Sequence, residues 1–261
     1  MQLCQRGRSG FRLTDKGELA IAAIQRLITD LDGFSADIEA LRGKLIGELR
    51  IGLLDSVTTD SNARLHEAIR RFRQRPNAVT LCLFQEQPQI LQEKILGGQF
   101  NLGIGSTPHK ISGLEYEFLY EEHHSLYCGR GHALFDLAKH ELPASQVIAH
   151  PVASRGYWRE GQLGQMGFER VEAVVYNIEP QLNLIMSGGY LGFLPDHFAR
   201  AWAEQNVIRK VRTEPGSYTC AFEIITRRGD RSTEVARTFI DDLRSCYRGG
   251  GDKKPPGRAA T

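Results

Sequence analysis

Apolar residues recur at Ala20, Ile24, Leu27, Leu31, Phe34, Ile38, Leu41 and Leu45, in steps that alternate between 4 and 3. A sustained 3.5-residue repeat is the seam of a helix lying along another helix. Thr14 supplies an N-cap hydroxyl immediately before the pattern. The spacing predicts a helix from Asp15 to about Arg42, roughly 40 Å long at 1.5 Å per residue. Residues 15–46 are expected to form a linker and dimerisation helix, with Ile24, Leu27, Leu31, Phe34, Ile38 and Leu41 on the seam. An amphipathic helix packed on its own domain would show a similar stripe. Gly33 weakens the helix by about 1 kcal/mol but lies off the seam.

Beyond Gly43 and Gly47 the period changes to short apolar runs alternating with helical stretches. ELRIGLL (48–54), a helix from Asp60, AVTLCLF (78–84), a helix stopped by Gly97 and Gly98, and NLGIG (101–105) predict strand, helix, strand, helix, strand. That order implies a parallel sheet with right-handed crossovers. A second series follows: SLYCG (125–129), VIAHPVAS (147–154), RVEAVVYN (170–177), a helix at 179–187, YLGFLP (190–195), a helix at 196–204 and VIRKVR (207–212). CAFEIITRR (220–228) and a helix carrying Val235, Phe239, Ile240 and Leu243 complete it. The fold class expected is α/β, with two lobes behind a long N-terminal helix.

At 261 residues, 41% apolar and 25% charged, the chain can bury a real core. The formal net charge of +2 places any nucleic-acid affinity in a local cluster, and Arg6, Arg8, Arg12 and Lys16 form one among glycines. Cys4, Cys82, Cys128, Cys220 and Cys246 are scattered, without C-x-x-C or paired spacing, which suits a reducing cytoplasm. No run approaches a membrane span or a signal-peptide core. Residues 247–261 lack apolar anchors and are expected to be a disordered tail.

CQRGRSGFRLTDKGE (4–18) resembles the end of the winged helix-turn-helix domain of LysR-type transcriptional regulators, where Arg6, Gly10, Leu13, Thr14 and Gly17 match the wing pattern. LYCGRGHALF (126–135) and GGYLGFLPDHFA (188–199) resemble stretches of that family's effector domain. Ala133 and Asn101 stand where the family usually has proline and aspartate. The resemblance implies a remnant wing over 1–14, with most of the family's DNA-reading helix-turn-helix domain lacking before Met1. It implies further a periplasmic-binding-protein-like effector domain over 47–246, one lobe being 47–121 plus 219–246 and the other 122–218.

Ser56, Thr58 and Thr59 gather where an apolar strand ends before a helix, a natural anion site through backbone N–H groups and the helix dipole. Turn chemistry and capping by Asp60 explain the same residues equally well. In the two-lobed domain that the resemblance implies, Ser154 and Arg155 would face them across a ligand cleft between the lobes, Arg155 able to pair with a carboxylate. Gly105, Ser106 and Asn177 are further cleft candidates. His123, His124, His132, His140 and His150 show no H-x-x-x-H pairing and no cysteine at ligand spacing, so no metal site is expected. No G-x-S-x-G elbow, nucleotide loop or persuasive carboxylate pair points to an enzyme, and no cofactor is expected.

The resemblance implies a regulator that binds a small, anionic metabolite between two lobes and changes DNA binding or transcription through rearrangement of a dimer or tetramer. If the missing N-terminal domain is present, DNA is a partner and Arg6, Arg8 and Arg12 would lie on its backbone, positioning without specifying. A DNA-binding-deficient dimerisation partner and a cytosolic solute-binding module are the alternatives.

Overall fold

The computed structural model describes residues 2–7, 10–42, 44–137, 140–157, 162–214, 216–229 and 233–248. Strands β1 (Cys4–Gly7) and β2 (Gly10–Leu13) pair antiparallel as a small hairpin. Arg8 lies outside the described residues. Thr14 then caps α1 (Asp15–Leu41) as its residue type predicts, its Oγ1 accepting the Gly17 amide at 3.1 Å and donating to the Gln2 carbonyl at 2.9 Å. A Cβ on Gly17 would stand 2.0 Å from the Leu3 carbonyl oxygen, so only glycine lets hairpin and helix meet this closely.

Along α1, Ile24, Leu27, Leu31, Phe34 and Ile38 are 37–65% exposed. The helix leans on its own domain elsewhere: Gln25 reaches Gln99 at 3.4 Å, and a Cβ on Gly33 would stand 3.0 Å from Thr233. The apolar stripe is therefore not what α1 presents to its own chain. The side chain of Leu41 lies outside the description.

The next elements are β3 (Leu45–Leu53), a 3-10 turn (Val57–Thr59), α2 (Leu65–Gln74), β4 (Asn77–Gln85), α3 (Pro88–Leu96), β5 (Leu102–Gly105) and the long β6 (Leu114–Gly129). There follow α4 (Ala144–Val147), β7 (Val152–Arg155), α5 (Gln162–Gln165), β8 (Val171–Val175), α6 (Ile178–Met186), β9 (Leu191–Pro195) and α7 (Asp196–Glu204). Strands β10 (Ile208–Lys210) and β11 (Ser217–Arg227) and helix α8 (Glu234–Arg248) end the described chain.

The strands run in the order β4-β3-β5-β11-β6-β9-β7-β8, with β10 on β6. β3 is parallel to β4 and β5, and β7 to β8 and β9, as expected for strand–helix alternation. The sheet is nevertheless mixed, because β6 and β11 run antiparallel from Leu114/Arg227 to Ser125/Ser217 and carry the chain between the lobes. An irregularity between Phe222 and Glu223 interrupts their register at the crossing. One core gathers Leu49, Ile51, Phe72, Ile104, Phe222 and Phe239, where Phe72 and Phe239 of α2 and α8 meet edge-on at 5.6 Å. Another gathers Leu126, Val152, Phe168, Leu191 and Phe193, and a third packs Tyr127, Ile178, Ile185 and Ala199 under α6 and α7.

Several expected elements shift. The helix placed from Asp60 begins at Leu65, because the Asp60 carboxylate accepts the Asn62 amide at 2.7 Å and holds a turn instead. The strand expected over 147–154 is the end of α4 followed by β7, with Pro151, which has no amide to donate, between them. β6 begins at Leu114 rather than 125, its charged residues having masked a strand half exposed over its first part. The expected tail loses its first residues to α8: Tyr247 accepts the Arg64 amide at 2.9 Å and stacks on Tyr120. Residues 249–261 lie outside the described residues.

Candidate functional site

A cavity of about 130 Å³ opens where the two lobes meet the crossing strands. Leu54, Asp55, Ser56, Ser106 and Pro108 line it from one lobe, Arg155, Tyr157 and Pro195 from the other, and Glu122, His124, Tyr218, Thr219, Cys220 and Phe222 from β6 and β11.

Arg155, at the end of β7, is 5% exposed. Its Nε donates to Gln181 Oε1 at 2.7 Å and its Nη1 to the Tyr157 hydroxyl at 2.5 Å. Nη2 is buried and has no partner among the described residues. Burial opposes its charge, but Tyr157 and Asp55 favour it, and the guanidinium stays charged. Asp55 reaches across from the other lobe: its Oδ1 lies 3.7 Å from Arg155 Nη1, and its Oδ2 accepts the Ile178 amide at 2.6 Å, the N-terminus of α6.

Glu122 and His124 point into the cavity from one face of β6. Glu122 Oε2 accepts from His124 Nε2 at 2.6 Å, and Oε1 from His197 Nε2 at 2.9 Å. Burial raises the carboxyl, yet the hydrogen bonds from both imidazoles outweigh it and hold Glu122 down at about 2. Burial keeps His124 below the ordinary imidazole range. Its ring stacks on Tyr218 at 4.5 Å, and its Nδ1 is buried without a partner among the described residues. Cys220 Sγ lies 3.6 Å from His124 Nε2 and 3.7 Å from Glu122 Oε2. Burial, then Glu122, pushes its thiol up to about 12, so it is protonated and a poor nucleophile near neutral pH.

Of the residues the sequence singles out, Ser56, Ser106 and Arg155 line the cavity. Ser56 sits at φ 59°, a left-handed conformation that costs a non-glycine residue on the order of 1 kcal/mol and turns the chain at the cavity wall. Thr58 is exposed and Thr59 hydrogen-bonds His197 Nδ1 at 2.8 Å, both off the lining and in a 3-10 turn rather than at the N-terminus of α2. Gly105 stands behind Leu54, which a Cβ would approach to 2.5 Å. Ser154 donates to the Arg155 carbonyl at 3.3 Å, and Asn177 precedes α6 without capping it, a role Asp55 takes. Asp55, Glu122, His124, Tyr157, Tyr218 and Cys220 are cavity residues that sequence reading missed.

Two lobes joined by paired crossing strands, with a polar cavity at the joint, define a small-molecule-binding α/β domain, here carried on a long helix with an outward apolar stripe. The LysR substrate binding domain family matches residues 42–246, and the chain belongs to the LysR family of transcriptional regulators. The HTH-type transcriptional activator BauR of Pseudomonas aeruginosa is 33% identical over 243 residues, 92% of this chain and 79% of BauR. The fold is shared with full-length CbnR complexed with its target DNA (TM-score 0.63, 18% identity, 90% of this chain and 83% of that one). It is shared also with the effector binding domain of QuiR in complex with shikimate (TM-score 0.65, 12% identity, 78% of this chain and 99% of that one). These relatives are regulators rather than enzymes, and among the described residues no helix is long and apolar enough to cross a membrane.

Proposed function

We propose that a small anionic metabolite binds in the cavity between the lobes, 47–121 with 219–246 on one side and 122–218 on the other. Its binding changes DNA binding or transcription by shifting the arrangement of a cytoplasmic homo-oligomer joined through α1. The observation that carries the reading is Arg155: a buried guanidinium in the cleft with Nη2 unspent, the group that recognises carboxylate or phosphate in a fixed fork. Asp55 supports it, since an acidic side chain already occupies the α6 N-terminus beside Arg155, marking the place where negative charge is stabilised. QuiR, with this fold, is described in complex with shikimate. The exposed stripe Ile24, Leu27, Leu31, Phe34 and Ile38 supports association through α1. In this reading Arg6, Arg8 and Arg12 lie along DNA phosphates, and effector and DNA are coupled through differential affinity for two quaternary states.

The test is a thermal-shift screen of small mono- and dicarboxylates against the full chain and Arg155→Gln. A ligand at 100 times its Kd stabilises by about 2.7 kcal/mol, several degrees in Tm. A class of carboxylates that stabilises the wild type and not the variant is expected. Equal shifts in both proteins would defeat the reading.

A further inference from the structure

Five side chains of metal-ligand type converge beside the cavity: Asp60, Glu122, His124, His197 and Cys220. Four of them are buried or nearly so, with Asp60, Glu122, His124 and His197 showing side-chain exposures of 3–12%. They come from the turn before α2, from β6, from the start of α7 and from β11, so the crossing strands and both lobes contribute.

We infer that Glu122 Oε2, His124 Nε2 and Cys220 Sγ form a binding site for a late first-row divalent cation of the Zn²⁺ class, with the fourth coordination position open to the effector cavity. This inference does not depend on the effector being anionic.

The geometry is the first support. Tetrahedral zinc with bonds of 2.0–2.3 Å separates its ligand atoms by roughly 3.3–3.6 Å. Cys220 Sγ stands 3.6 Å from His124 Nε2 and 3.7 Å from Glu122 Oε2. The 2.6 Å hydrogen bond between Glu122 and His124 alone has to open, by roughly 0.7 Å on the same geometry. One sulfur, one imidazole nitrogen and one carboxylate oxygen suit zinc, cobalt or nickel, and not the all-oxygen preference of magnesium or calcium.

The surroundings are the second. Thr59 Oγ1, which donates to the Ser56 carbonyl at 3.0 Å, lies 2.8 Å from His197 Nδ1 and holds that ring in place. His197 Nε2 lies 2.9 Å from Glu122 Oε1 and 3.6 Å from Asp60 Oδ2. Glu122 is thus held by an outer hydrogen bond on the oxygen the metal does not take, the arrangement that orients a ligating carboxylate. On binding, the Cys220 thiol proton leaves to solvent as the Sγ–metal bond forms, and the His124 proton moves to Nδ1 as Nε2 takes the metal. The cation's two charges offset the Cys220 thiolate and the Glu122 carboxylate that ligate it. Glu122, His124 and Cys220 all line the cavity, so the fourth position falls to water or to the cavity's ligand, the pattern of an exchangeable site.

The test is a Co²⁺ titration of the full, reduced, metal-stripped chain followed by absorption. Saturation at one equivalent is expected, with intense tetrahedral d–d bands and a near-ultraviolet thiolate-to-cobalt charge-transfer band. Cys220→Ser should lose the charge-transfer band while the other four cysteines remain. His197→Gln should keep the band and bind about 10–100-fold more weakly, as outer-shell removal does. Absence of the charge-transfer band in the wild type overturns the inference, whether or not any variant folds. Its persistence in a folded Cys220→Ser protein overturns it equally, by assigning the metal to another cysteine.

Discussion

Asp55 caps a helix that belongs to the opposite lobe: its Oδ2 accepts the amide of Ile178 at 2.6 Å, across 123 residues of sequence. The nominal cap residue of α6, Asn177, makes no side-chain bond to the helix. The contact ties the lobes together at the cavity, and it fills with an internal carboxylate the place beside Arg155 where an external one would sit.

Asp55→Ala is therefore expected to cost about 1 kcal/mol of stability through loss of the cap. It is also expected to raise affinity for a carboxylate by severalfold, because the competing internal anion is gone. Urea unfolding and calorimetric titration of the two proteins check this. A fall in carboxylate affinity would show that Asp55 contributes to the site rather than competing for it.

The stripe on α1 carries a separate prediction. Leu31 and Phe34 are 57% and 65% exposed on a helix whose contacts with its own domain lie elsewhere. Replacing both with lysine places charge in an apolar seam and should reduce the sedimenting species to monomer with little change in the thermal unfolding of the two-lobed domain. An unchanged mass would place the oligomer interface elsewhere.

His132 predicts an acid limb to stability. Its Nδ1 accepts the Leu134 amide at 3.1 Å and its ring lies 4.8 Å from that of His150, itself close to Arg170. Burial, then His150, lowers its pKa to about 4 from an ordinary 6.5. Between those values the unfolded chain binds a proton that the folded chain does not, so stability is present above 6.5 and is lost as pH falls toward 4. His132→Asn, which keeps an acceptor for Leu134, should flatten this limb in urea titrations at pH 7, 6, 5 and 4. Parallel curves for the two proteins would remove His132 as its source.

The helix α1 was legible almost to the residue, because a heptad and a cap are local signals. So was the alternation that builds β3, β4 and β5. The crossing strand β6 was legible only at its buried end, since Glu115, Glu117, Glu121 and Glu122 give its first part the look of a loop. At the site, Arg155 and Ser56 could be named because one ends a strand and the other follows one. Glu122, His124 and Cys220 could not, because Cys220 pairs with Glu122 across β11 and β6, a juxtaposition that spacing along the chain does not carry. His197 joins them from yet another element, so histidine spacing gave no hint of the cluster.

The central claim is that the cavity around Arg155 recognises a small anion. Calorimetric titration of wild-type chain and Arg155→Lys with the strongest carboxylate from the thermal screen tests it most directly. The account predicts one site per chain and a loss of about 10–100-fold in affinity in the variant, 1.4–2.7 kcal/mol, because lysine keeps the charge and loses the fork. Equal affinity in the two proteins would contradict it.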